Sequence, residues 1–129
     1  MRPGDKVVGA VIFVALAMVA MRSPGPPVDD DWFKAVVVDE SRPVLLKFGA
    51  EWCGPCRHMD GVLDQVAPSV SGEVKIVRVN IDEMPQLAKH YGVHGIPQMF
   101  LFKKGQIVAK HGGFQDAKAV KTWLDGKIK

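Results

Sequence analysis

Between Pro43 and Val70 the chain passes from a mostly apolar run of strand length, Pro43 to Phe48 (PVLLKF), into a segment with Met59, Val62, Leu63 and Val66 at helical spacing. The next run, Val74 to Ile81 (VKIVRVNI), alternates apolar and polar residues and reads as a strand. Strand, helix and strand in that order make a parallel pair joined by a crossover. The first of these strands is apolar enough for the middle of a sheet. Both cysteines, Cys53 and Cys56, fall where that strand ends and the helix begins.

The remaining segments complete the outline. Asp29-Asp30-Asp31 offers a cap and an acidic first turn for a helix over Trp32 to Val38, against which the β-branched Val36-Val37-Val38 works; those valines are core packing. Met84 to Tyr91 is a short helix. Gln98 to Phe102 and Ile107 to His111 are strands joined by the glycine-containing turn Lys103-Lys104-Gly105-Gln106. Asp116 to Lys129 is an amphipathic helix with Val120, Trp123 and Leu124 on its apolar face. The expected architecture is α/β, a mixed central sheet flanked by helices.

Charge excludes one class of function. The net charge is +3, but Arg2, Lys6 and Arg22 against Asp5 supply most of it; from Val28 onward there are 14 basic and 13 acidic residues, leaving +1. That is a mixed surface without a basic stripe for phosphates, so no nucleic-acid partner is expected.

Val7 to Met21 (VVGAVIFVALAMVAM) is an uncharged run of fifteen residues behind a basic head. This is the layout of a signal peptide or an N-terminal membrane anchor over residues 1–21. At ~1.5 Å per residue a helix of that length spans roughly 22 Å against a ~30 Å hydrocarbon core, a deficit that snorkelling Lys6 and Arg22 reduce. The alternatives are cleavage at Ala15-Leu16-Ala17 and, more blandly, a buried helix of a soluble protein. Ser23-Pro24-Gly25-Pro26-Pro27 makes residues 22–28 an extended linker. Residues 29–129 then form one domain, membrane-anchored or exported and held outside the cytoplasm.

Two cysteines separated by two residues make no disulfide framework, and they supply half the ligands of a structural zinc site. Redox chemistry is the economical reading. The thiolate is the attacking species, and a helix N-terminus favours an anion through its unpaired N–H groups and partial positive charge. Cys53 takes that place, and Gly54-Pro55 suits the first turn. Cys56, one turn on, is within reach of a mixed disulfide at Cys53, so Cys53 attacks and Cys56 resolves. Trp52 shields the pair and offers apolar surface to a partner. No cofactor is required beyond the redox-active Cys53–Cys56 disulfide, and no metal site is expected: His58 and His94 read as surface histidines near the pair.

Phe48-Gly49-Ala50-Glu51-Trp52-Cys53-Gly54-Pro55-Cys56-Arg57 resembles the active-site segment of thioredoxins. Val79-Asn80-Ile81-Asp82, Tyr91-Gly92-Val93-His94-Gly95-Ile96-Pro97 and Phe102-Lys103-Lys104-Gly105 resemble, in order, further segments of the family, and the likeness runs from Asp29 to Lys129. It implies the thioredoxin fold and a cis Pro97 beside Cys53. It also implies that the Ile96 backbone pairs with a bound peptide and that Gly112 lets substrate approach. The implied partners are disulfide-containing client proteins and a membrane or soluble electron donor.

Several positions depart from the family pattern. Lys47 stands where a buried Asp is usual; it is expected to snorkel to the surface, failing which a desolvated Lys47 becomes a neutral base or stays charged and favours thiolate. Lys47 and Glu51 are thus candidate modulators of the thiols. Gly49 replaces a tryptophan and opens space beside the pair, Gly61 replaces a kinking proline, and Gln98 follows the cis-proline where Thr is usual. The Pro-rich stretch before Asp29 is too short for the family's first strand, which is expected to be missing or improvised. The leading functional expectation is a disulfide reductase for exported proteins. A disulfide oxidase or isomerase, and a tethered metal or assembly chaperone, are the alternatives.

Overall fold

The structure is a computed structural model that describes Gly25 and residues 30–128. The stretch Val7 to Met21, most of the linker and Lys129 lie outside the described residues.

The chain enters through α1 (Asp31–Phe33), capped by Asp30, whose carboxylate accepts from Phe33 N at 2.8 Å. The helix then widens into a π-helical turn over Lys34–Val38, closed by Asp39 N donating to the Lys34 carbonyl at 2.9 Å. The expected regular helix over Trp32 to Val38 is therefore wider in its second half. Three adjacent valines crowd a regular turn, and the wider one lets Val37 reach the core while Val36 and Val38 pack at its edge.

Four strands follow: β1 (Val44–Gly49), β2 (Lys75–Asn80), β3 (Gln98–Lys103) and β4 (Gln106–Gly112). Among the described residues they form one sheet in the order β2-β1-β3-β4. β1 runs parallel to β2, with Lys47 opposite Arg78, and antiparallel to β3, with Lys47 opposite Met99. α2 (Gly54–Val70) makes the crossover from β1 to β2 and runs unbroken past Gly61. α3 (Pro85–His90) connects β2 to β3, and α4 (Ala117–Ile128) closes the domain, with Asp116 accepting from Ala119 N at 2.8 Å at its start.

Period-two alternation divides the core between the two faces of the sheet. Val44, Leu46 and Phe48 join Phe100, Phe102, Tyr91 and Phe33 on the α1–α3 face. Leu45 joins Met99 and Leu101 against Met59 and Leu63 of α2 and Val120 and Leu124 of α4. Lys47 and Gly49 share Leu45's parity, so both lie on the face that α2 covers. This places Lys47 beneath the first turns of the helix that carries the cysteines.

Candidate active site

The site is built at the carboxyl end of β1, where the chain turns through Ala50-Glu51-Trp52 into α2. Cys53 is the N-cap of that helix: its backbone is extended (φ −92°, ψ 110°), and its Sγ accepts the N–H of Cys56 at 3.2 Å. Cys53 N donates to the Ala50 carbonyl at 3.2 Å, which fixes the turn. Gly54 and Pro55 form the first helical turn, where a proline removes no needed hydrogen bond.

Cys53 and Cys56 are joined in a disulfide with Cα atoms 5.2 Å apart. Their exposure separates the roles: Cys53 retains 7% and Cys56 1%. The residue whose sulfur accepts the capping hydrogen bond is therefore also the more exposed of the two. Both are buried, Cys56 the more deeply.

Opposite lies the loop before β3. The Ile96–Pro97 peptide bond is cis, Pro97 is buried, and its carbonyl accepts from Gly113 N at 2.9 Å, tying the loop to the end of β4. Ile96 packs against Cys53, Cys56 and Ala50. Gly112 pairs with Gln98 at the same end of the sheet, and a Cβ added there would meet no atom within 4 Å. The surface above Gly112 is open to an approaching chain. Trp52 is 71% exposed and its indole N–H donates to Asp82 at 2.9 Å, so it presents apolar surface at the rim. Phe114, also exposed, stands edge-on to His58 nearby.

Lys47 does not snorkel. It is 3% exposed, and its ammonium donates to Asp60 and to the Cys56 carbonyl, the latter at 3.4 Å. The physical reason is a partner: Asp60 lies on α2 one turn beyond Cys56, within reach of the ammonium, so the lysine is paired beneath the helix and does not extend to water. β1 carries no carboxylate, but the helix above it supplies one. Asp60 is in turn held by Arg78 at 3.1 Å, and Arg78 by Asp64 at 2.6 Å.

The space that Gly49 opens is shared between the Lys47 side chain and a cleft beside the pair. A Cβ there would stand 3.0 Å from both Cε and Nζ of Lys47 and 3.2 Å from the Cβ of Cys56. The glycine makes room for the lysine. Both residues line a cleft of about 450 Å³, together with Glu51, Arg57, Asp60 and Arg78, with Glu51 exposed at its lip.

Among the residues outside the motif, Asp60 and Asp82 are the ones sequence reasoning passed over. Asp60 follows Cys56 by one helical turn on the same buried face, a spacing that marks it as a neighbour of whatever lies beneath Cys56. Among the described residues, no group of three or more histidine, cysteine or acidic side chains is placed to hold a metal ion.

A redox-capable cysteine pair at a helix N-terminus, its first member less deeply buried than its second and packed beside a cis-proline loop, has the layout of a thiol–disulfide exchange centre. The thioredoxin family profile matches residues 26–126. A thioredoxin of Rickettsia felis is 37% identical over 101 residues, covering 78% of this chain and 96% of the relative. Thioredoxin 1 of a Nostoc species is 46% identical over 86 residues, covering 67% of this chain and 80% of the relative. Thioredoxin 1 of Synechococcus elongatus is 48% identical over 81 residues, covering 63% and 76%. The chain belongs to the thioredoxin family and is a thiol–disulfide oxidoreductase of that type.

Proposed function

We propose that this oxidoreductase works as a disulfide reductase on exported client proteins, tethered outside the cytoplasm by its N-terminal segment. The observation that carries the reducing direction is the Lys47–Asp60 pair. An isolated ammonium beside Cys56 would favour thiolate and so make the couple oxidising, the strongest argument for an oxidase or isomerase. With Asp60 on it, that bias is offset, and the Gly54-Pro55 pair shared with reducing family members weighs for the reductase.

In a turnover the Cys53 thiolate attacks one sulfur of the client disulfide, and the other leaves as a thiolate. The client's reacting segment lies against Ile96 and Gly112, pairing with backbone in the manner of an added strand. Cys56 then resolves the mixed disulfide, and two electrons and two protons have passed to the client. A membrane or soluble donor restores the dithiol.

Tethering is supported by the uncharged run Val7 to Met21 and its basic flanks. Among the described residues no helix is long and apolar enough to cross a membrane.

Equilibration of the full chain with glutathione tests the direction. A potential near about −270 mV is expected; a value near −120 mV, the range of strong oxidants, would instead establish an oxidase. Cys53→Ser is expected to abolish disulfide reduction, and full activity in that variant would overturn the assignment of the site.

A further inference from the structure

A lysine in the middle of the most enclosed strand needs a reason. An ammonium removed from water costs several kcal/mol unless paired, and even a paired one seldom stabilises a fold better than an apolar residue of its size. Lys47 nonetheless sits at 3% exposure on β1, between Leu46 and Phe48, both fully buried. Its neighbour on that face has no side chain at all, because a Cβ on Gly49 would meet Cε and Nζ of Lys47 at 3.0 Å. The same missing Cβ would lie 3.2 Å from the Cβ of Cys56, so ammonium and resolving cysteine border one small space.

The ammonium is anchored there from the helix side. It donates to Asp60 and, at 3.4 Å, to the backbone carbonyl of Cys56 itself. Asp60 is shared with Arg78 at 3.1 Å, and Arg78 also holds Asp64 at 2.6 Å. Two cations and two anions thus alternate from the buried end beside Cys56 to solvent: Lys47 side chain 4% exposed, Asp60 37%, Asp64 74%. Fold stability alone would be served as well by an apolar residue at position 47.

We propose that the Lys47–Asp60 ion pair sets the redox potential of the Cys53–Cys56 couple, Lys47 favouring the thiolate of Cys56 and Asp60 limiting that effect. The inference rests on the reading of the two cysteines as the exchange centre. In resolution the Cys56 thiol gives up its proton and the resulting thiolate attacks Cys53 Sγ. The Cys53–Cys56 bond forms, the bond from Cys53 to the client sulfur breaks, and that sulfur leaves as a thiolate that takes up a proton. The anion at Cys56 is short-lived and buried, and the ammonium is the cation placed beside it. Lys47 is a positioning residue: it touches the helix backbone at Cys56 and acts through that cysteine.

Two substitutions break the same ion pair and push the couple in opposite directions. Lys47→Met removes the ammonium and leaves the Asp60 carboxylate one turn from Cys56 without it, which disfavours thiolate and is expected to shift the equilibrium with glutathione three- to tenfold toward the disulfide. Asp60→Asn leaves the ammonium uncompensated and is expected to shift it three- to tenfold toward the dithiol; tenfold corresponds to about 30 mV. Lys47→Met combined with Asp60→Leu is expected to return most of the way to the parent value. A purely structural pair would change stability in both variants and leave the two potentials together. Shifts of the same sign, or no shift in either variant, would overturn the proposal, and Asp60, being part-exposed, provides a variant that does not depend on repacking the core. If instead the parent protein lacked exchange activity, or Cys53→Ser retained it, the reading of the site would fail and this inference with it, an outcome distinct from same-sign or absent shifts in an active parent.

Discussion

Single positions in this protein do work that their residue type alone does not announce. Lys47 is an example: its parity with Leu45 put it on the helix-covered face, and that much was readable from alternation along β1. Its burial was not, because the sequence does not state that Asp60 sits within reach across the layer, and without a partner a lysine escapes to water. Gly49 became intelligible only once the lysine was in place. Tyr91 is another such position. Its ring packs against Phe33, Phe48, Phe100 and Phe102, while its hydroxyl is buried without a hydrogen-bond partner among the described residues. Burial, with the nearby charge of Asp30, pushes the phenol above its ordinary value of 10.0. The unfolded chain ionises this group first, so the stability it contributes is full below pH 10 and is lost as pH rises above that value. Tyr91→Phe should therefore match the parent at pH 7, or exceed it by up to about 1 kcal/mol, since an unpaired hydroxyl is removed. Above pH 10 the parent should lose stability relative to the variant. Denaturant midpoints at pH 7 and pH 11 check both statements, and a variant several kcal/mol weaker at pH 7 would show that the hydroxyl is bonded.

At the scale of elements, the strands and the long helix were the most legible parts. β1 and β2 announce themselves by apolar content and alternation, and α2 by its cap and periodicity; their bounds fall within a residue or two of expectation. The weakest reading was the first helix, where local crowding by three valines, and not overall composition, decides the kind of turn. The β3–β4 hairpin shows local chemistry setting register. It turns on Lys104 and Gly105, both with positive φ, at 51° and 78°. Two such residues are what a tight hairpin matching the twist of its strands requires. Lys104 tolerates the left-handed region at a cost; Gly105 occupies it freely. Gly105→Ala is expected to destabilise the domain by about 1–2 kcal/mol in urea unfolding. The turn is at the end of the sheet away from Gly112 and Pro97, so the same variant should retain the parent's rate of disulfide reduction. A lowered rate at full folding would show that the hairpin reaches the site.

As a whole molecule, the domain brings three separate stretches of chain to one end of a sheet: the β1–α2 turn, the cis-proline loop and the end of β4. What the sequence could not fix is the direction of electron flow, because that depends on small energy differences set by charges meeting across layers, and on the donor available where the domain resides. The Lys47–Asp60 pair offsets the oxidising bias that a lone ammonium beside Cys56 would give, which is the support for the proposed reducing direction. The most direct test is the redox state of Cys53 and Cys56 in the living cell, trapped by acid quenching and alkylation of the full chain. A reductase kept charged by its donor predicts that most molecules carry two alkylated thiols at steady state. A pair found almost wholly as the Cys53–Cys56 disulfide, and driven to the dithiol only by added reductant, would contradict the account.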